Sequence, residues 1–219
     1  MENSLILGVG MKQKPPQGVY LEDVFGSLYI ASTWDSSKIV NSIVVSTQNH
    51  CFRMAPIILS MPLWINKPDG YGNNIGFSTQ DLSAFEQYPT PEQAETCFSG
   101  EKDTYSFNKM FSSKQNTVDM TYILGDAPVF CYNYKFNRGG NGYLMSAGEA
   151  KIIHNNITDI AAAYTAIGIP IGNPNLLTST YCGVTSRGLQ EFWVSNRGNL
   201  SIGGYWLNIC GVIPLGRYY

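Results

Sequence analysis

Apolar residues recur at helical spacing, with clear start and stop signals, along one stretch of this chain, Ser146 to Ile167. Ser146 is suited to cap a helix, and Glu149 three residues later completes a capping box whose carboxylate also suits the positive end of the helix dipole. Ile152 and Ile153 follow and Asn155-Asn156 interrupts. Ile157, Ile160, Ala161, Tyr164 and Ile167 then recur at spacings of three and four, with Thr158 as a second cap. The pattern predicts two short helices, the second laying its stripe on a sheet and stopping at Gly168 and Pro170. Just upstream, Asn137 to Gly142 is a turn-rich run whose glycines admit positive φ.

Elsewhere the pattern is that of short strands. After Pro174, aromatic and β-branched pieces are punctuated by Cys182-Gly183, Arg187-Gly188, Arg197-Gly198-Asn199 and Gly203-Gly204. They predict antiparallel strands from Leu176 to Tyr181, Glu191 to Ser195, Leu200 to Leu207 and Ile209 to Leu215. Near the other end, Val19 to Leu21 and Ser27 to Ile30 flank a turn through Glu22 to Gly26, which reads as a hairpin. Two more apolar strands follow the polar link Trp34 to Lys38, at Ile39 to Ser46 and Cys51 to Ile58. Residues 1–17 form an extended arm, since Pro15-Pro16 favours polyproline II; such an arm either docks on a neighbour or is a disordered tail. In the middle, Lys67 to Asn74 is a loop built on Asp69-Gly70, Thr90 caps a short helix within Pro91 to Phe98, and Lys102 to Met120 is weakly amphipathic.

Composition narrows the function classes. The 219 residues are 44% hydrophobic and 13% aromatic, enough for a real core. Charged residues make up only 14%, against about 25% in ordinary soluble domains. The surface is therefore polar but uncharged. A net charge of −2 with no basic run gives nucleic acid little to bind. No apolar stretch approaches the roughly 20 residues of a spanning helix, because Met54 to Ile65 is broken by Pro56 and Pro62, so membrane insertion is not expected. Leu5 to Val9, preceded by Glu2, makes a poor signal peptide. Cys51, Cys97, Cys131, Cys182 and Cys210 are odd in number and scattered, which points to free buried thiols.

Candidate chemistry is sparse. His50 adjoins Cys51, but neighbours along a strand point to opposite faces and cannot readily meet. His154, five residues after Glu149, reads as a polar helix-face residue. The motifs of serine hydrolases, zinc peptidases and phosphate loops do not occur in the sequence. No catalytic residue, metal or cofactor is expected. Residues suited to a binding surface concentrate instead between Tyr181 and Tyr219: Tyr181, Thr185, Arg187, Gln190, Asn196, Arg197, Asn199, Tyr205, Trp206 and Asn208. Such side chains offer large area and adaptable hydrogen bonding at modest entropy cost. Trp193, inside Phe192-Trp193-Val194, reads as a core aromatic. A calcium-dependent sugar site is disfavoured, since Glu191 is the exception to an absence of carboxylates after Asp159.

Several of these segments carry a resemblance. Gly142-Tyr143-Leu144-Met145-Ser146-Ala147-Gly148-Glu149, Asn155-Asn156 with Ile157 to Ala163, Leu177 to Tyr181, Phe192 to Val194 with Arg197-Gly198, and Val212 to Leu215 occur in order over nearly eighty residues. This order resembles the C-type-lectin-like domain of phage and bacterial surface-recognition proteins, a group related to formylglycine-generating-enzyme folds and to targets of diversity-generating retroelements. Gly18-Val19-Tyr20, Asp23, Gly26, Leu28-Tyr29, Trp34 and Val40 to Val45 are similar to the piece that precedes that domain in proteins of Bacteroides phages and prophages. Met145, Leu177 and Ile213 depart from the family's proline, tryptophan and arginine, so contacts near the sheet centre must differ.

The resemblance implies an α+β fold with two short helices packed on short antiparallel strands, preceded by β-hairpins. It also implies a helix from Pro128 to Phe136 containing Cys131 and Tyr134. The expected organisation is an arm at 1–17, hairpins at 18–60 and the lectin-like part at 61–219. The implied role is a virion protein, a tail or head fibre, that binds a glycan or protein of the bacterial surface through residues 181–208. A homotrimer is expected, with the arm contacting other phage proteins. The alternative is a structural virion protein that binds other capsid or tail components.

Overall fold

A computed structural model describes residues 13–61, 85–114, 127–172, 174–185, 188–195, 197–204 and 210–218. In chain order the strands are β1 (Gly18–Asp23), β2 (Leu28–Tyr29), β3 (Val40–Ser46), β4 (Cys51–Met54) and β5 (Leu59–Met61). Among the described residues five α-helices follow: α1 (Pro91–Ala94), α2 (Gly100–Lys114), α3 (Ala127–Asn133), α4 (Ala147–Asn155) and α5 (Ile157–Ala166). The chain then returns to strands β6 (Leu176–Thr185), β7 (Gly188–Val194), β8 (Leu200–Gly204), β9 (Cys210–Val212) and β10 (Leu215–Arg217). The fold is mixed α+β with two sheets, ordered β10-β4-β3-β1-β2 and β5-β9-β6-β7-β8. Pairing is antiparallel except between β6 and β9.

The hairpin β1–β2 forms as its residues dictate. Asp23 Oδ1 accepts from the amides of Phe25 and Ser27, both at 2.9 Å, and Gly26 takes a φ of +92°. These bonds close the turn and set Leu21 opposite Tyr29. The predicted strand Ile209 to Leu215 is instead two strands in different sheets. Pro214 has no N–H to donate to a ladder, so the chain leaves the second sheet after Val212. The Pro214 carbonyl accepts from Ala55 at 2.8 Å, and β10 joins β4 in the first sheet. The final residues thereby share a sheet with residues 18–54. Helix α3 stops at Asn133 rather than Phe136, because the Tyr134 carbonyl accepts from Gly142 at 2.8 Å. Of Lys102 to Met120, the part through Lys114 is helical and the rest lies outside the described residues, as does the loop Lys67 to Asn74.

The core lies between the first sheet and the two helices that the apolar spacing predicts. Leu21, Ile43, Val45, Phe52 and Met54 from the sheet meet Ile153, Ile160 and Tyr164 from α4 and α5, with Leu176 and Ile213 completing it. Tyr164 satisfies its buried hydroxyl by donating to the Ala55 carbonyl at 2.6 Å. Met145, Leu177 and Ile213 are all buried.

Beneath the first sheet lies a buried ionic cluster. Glu22 is fully buried and faces Arg53, which donates Nε to Oε2 at 2.8 Å and Nη2 to Oε1 at 3.0 Å. Asn41 and Ser42 both donate to the same Oε2, at 2.7 and 2.6 Å. Two consecutive residues of β3 reach one carboxylate oxygen because the β1–β3 register shifts between Glu22 and Asp23. Arg53 also donates to the Arg217 carbonyl at 3.2 Å and lies over the Tyr218 ring. The described base of the N-terminal arm packs on its own chain: Pro15 is buried and its carbonyl accepts from Ser46 Oγ at 2.9 Å.

Candidate functional site

The entry into α4 is organised around Glu149. Its Oε2 accepts from the Ser146 amide at 2.7 Å and from Ser146 Oγ at 2.8 Å, and its Oε1 accepts from the Tyr143 hydroxyl at 2.8 Å. The capping box that the sequence predicts is therefore complete. Burial raises the Glu149 carboxyl above its ordinary range, against the opposing pull of the Ser146 and Tyr143 donors. Burial and the adjacent carboxylate push the Tyr143 phenol well up, so it stays protonated as the donor.

The start of α4 is stitched to β6. Thr180 Oγ1 accepts from the Ala147 amide at 2.8 Å, and the Ser179 amide donates to the Met145 carbonyl at 2.8 Å. The β6–β7 register shifts between Leu177 and Tyr181, over the same residues. Thr178, Ser179 and Thr180 are fully buried; Ser179 and Thr180 bond the residues that enter α4. Two of the three polar residues buried inside this strand thus serve a helix start.

Beyond this end of β7, the Arg197-Gly198-Asn199 turn is closed by side-chain bonds. Ser195 Oγ accepts from the Arg197 and Asn199 amides at 3.3 and 3.1 Å, and Gly198 sits at a φ of +81°. Lys151 of α4 donates Nζ to the Gly198 carbonyl at 2.7 Å. A Cβ on Gly198 would stand 2.3 Å from Nε2 of His154, so the imidazole packs against the glycine. The side chains of Arg197 and Asn199 point outward from this braced loop and are exposed. Sequence reasoning does not find Lys151 and His154 as its supports, because they lie more than forty residues upstream.

The other predicted residues divide. Thr185 pairs with Gly188, Tyr181 with Glu191 and Gln190 with both Gly183 and Gly204, so these three lie on adjoining strands. Thr185 ends β6 opposite the start of β7, and Arg197 lies beyond the far end of β7, a separation of roughly 20 Å or more at the usual strand rise. No small ligand touches both. Arg187, Asn196, Tyr205, Trp206 and Asn208 lie outside the described residues.

Burial disfavours the thiolate at three described cysteines. Burial raises the Cys51 thiol, and the neighbouring His50 stacks on Phe98 with ring centroids 4.0 Å apart, its own proton affinity lowered by burial and then by Lys14. Burial also raises Cys131 and Cys182. Thiolate, the reactive form, is thereby suppressed at neutral pH at these three positions. Cys51, Cys97, Cys131 and Cys182 are unpaired thiols.

One carboxyl does titrate in an accessible range. Burial pushes Asp103, in the first turn of α2, up to about 6, opposed by the 2.6 Å bond from Ser99 Oγ. A folded pKa above the unfolded value means the folded state binds the proton more tightly, so the favourable contribution is full below about pH 4 and is lost as pH rises through 6. Wild type is therefore expected to lose on the order of 2 kcal/mol relative to Asp103→Asn between pH 4 and 7.5. Denaturation midpoints of the two proteins across that range check it; parallel profiles contradict it.

Among the described residues no helix is long and apolar enough to cross a membrane. Compared with protein-family models, curated proteins and solved structures, the chain matches none of them.

Proposed function

We propose that this chain is a non-enzymatic virion component, a tail or head fibre, whose C-terminal portion is a C-type-lectin-like domain that binds the bacterial surface. The observation that carries the reading is the Arg197–Asn199 turn, exposed at its side chains yet braced by Ser195, Lys151 and the His154 ring. Pre-organised polar groups lose little entropy on binding, which favours recognition over chemistry at such a loop. The capping box at Ser146 and the buried Thr178–Thr180 contacts agree with the order of segments on which the resemblance rests. A homotrimer would multiply a weak site into useful avidity.

A second reading is a structural virion protein, and exposed apolar side chains around the β1–β2 turn favour it. Phe25 and Ile39 are 83% and 67% exposed, and a 3.1 Å bond from the Val24 amide to the Ile39 carbonyl joins their segments. Neighbouring exposed apolar side chains suit contact with another protein. The test is to incubate the labelled protein separately with host cells and with particles lacking it. Cell binding that falls at least tenfold in an Arg197→Ala/Asn199→Ala variant supports the first reading. Decoration of particles alone, lost in Phe25→Ser, supports the second. Binding to neither sinks both.

A further inference from the structure

The geometry points to a second binding site, for a short uncharged saccharide, in the cleft between α2, α3 and β10. The cleft has a volume of about 450 Å³, within the range of small-ligand sites, and none of its lining residues belongs to β6, β7, β8 or the turn at Arg197. It stands independently of the host-contact surface proposed above.

Two phenol rings form one side of it. Tyr105 of α2 is 57% exposed, and its ring lies 6.4 Å from that of Tyr132 of α3 at a tilt of 52°. The rings make an open wedge whose faces are not closed against each other. The remaining edge is polar: Arg217 and Glu101 form an ion pair at the mouth, 75% and 49% exposed, with Lys102 and Asn141 beside them. The frame under these groups is stiff. The Tyr143 amide and carbonyl exchange bonds with Leu215 at 2.8 and 2.9 Å, and the Tyr143 hydroxyl is occupied by Glu149. The Arg217 carbonyl is anchored by Arg53.

The lining decides the ligand class. A pyranose ring presents an apolar C–H face bordered by hydroxyls, and those two surfaces match an aromatic wedge and a rim carrying both donors and acceptors. A wholly apolar ligand would desolvate Lys102 and the ion pair without replacing their hydrogen bonds. A nucleic acid requires a basic track, whereas Glu101 opposes Arg217 here. A strongly anionic ligand would have to compete with Glu101 for the same guanidinium. The match is to one or two neutral sugar rings, stacked on Tyr105 and Tyr132 and hydrogen-bonded at the rim.

Saturation-transfer NMR on the full chain, with glucose, galactose, rhamnose, N-acetylglucosamine, maltose and cellobiose as neutral probes and glucuronate and inorganic phosphate as charged ones, tests this. At least one neutral sugar is expected to bind, with Tyr105→Ala and Tyr132→Ala each weakening it about tenfold or more and Arg197→Ala/Asn199→Ala leaving it unchanged. Tyr105→Leu keeps the apolar bulk without the ring face and is expected to weaken binding similarly, which covers the case of an alanine variant that fails to fold. Binding of charged probes alone, loss only in the Arg197/Asn199 variant, indifference to both tyrosines, or no binding by any neutral sugar overturns the assignment.

Discussion

Replacing Glu22 with alanine is expected to destabilise the fold by about 3–5 kcal/mol, because it leaves the Arg53 guanidinium buried without its carboxylate. Arg53 is only 3% exposed, so its guanidinium lies away from bulk water. The hydroxyl of Ser42 and the amide of Asn41 lose their acceptor at the same time, and Asn41 Oδ1 is already buried without a partner among the described residues. Against a total stability of about 5–15 kcal/mol, this is the largest single effect expected from one side chain. A urea or guanidinium titration measures it. The ion pair itself is a different matter from the cost of breaking it, since desolvation offsets much of its attraction. The double variant Glu22→Leu/Arg53→Met is accordingly expected to be more stable than Glu22→Ala, and finding the single variant as stable as wild type would remove the cluster from the account of the fold.

Gly148→Ala carries the second large effect, and there two arguments oppose each other. Gly148 lies in the first turn of α4, where helix propensity alone would favour alanine by about 1 kcal/mol. Packing says otherwise. An added Cβ would stand 2.5 Å from the Cys97 carbonyl oxygen, 2.8 Å from that of Glu95 and 2.7 Å from the Phe98 ring. Two of those three atoms are backbone and cannot swing aside. The 3.0 Å bond from the Gly148 amide to Cys97 would have to open as well. Overpacking together with a lost buried hydrogen bond is expected to destabilise by about 2–4 kcal/mol, reversing the sign that propensity gives. A denaturation midpoint at or above that of wild type would show that the α1–α2 connection yields more easily than this contact implies. The Glu95 side chain, which pairs with Lys151 at 3.2 Å, would shift along with it, so the Arg197 turn is expected to loosen in the same variant.

Both effects show where sequence reasoning reaches and where it stops. The capping box at Ser146 and Glu149 is legible because its partners are three residues apart and the geometry of a helix start brings them together. The same holds for Thr90 ahead of Pro91, whose hydroxyl accepts from the Gln93 amide, and for the Asp23 turn. The two helices from Ala147 to Ala166 follow from apolar spacing, and most strands are found within a few residues of where alternation puts them. The split of the last strand is readable in part, since Pro214 announces an interruption without saying that the pieces join different sheets.

Local chemistry, then, is determined by the order of amino acids alone: the Ser146 and Thr90 caps, the Asp23 turn and the helix stripes follow from neighbours a few positions apart, although Thr158, expected to cap α5, lies inside that helix behind Asn156. What only the tertiary structure decides is which distant groups meet. The pairing of Glu22 with Arg53, Lys151 beneath Gly198, the Thr180 hydroxyl at the head of α4 and the cleft between Tyr105, Tyr132 and Arg217 join residues up to 112 positions apart. No spacing rule spans such distances, because sheet order and the packing of helices against it, rather than chain proximity, bring those atoms into contact.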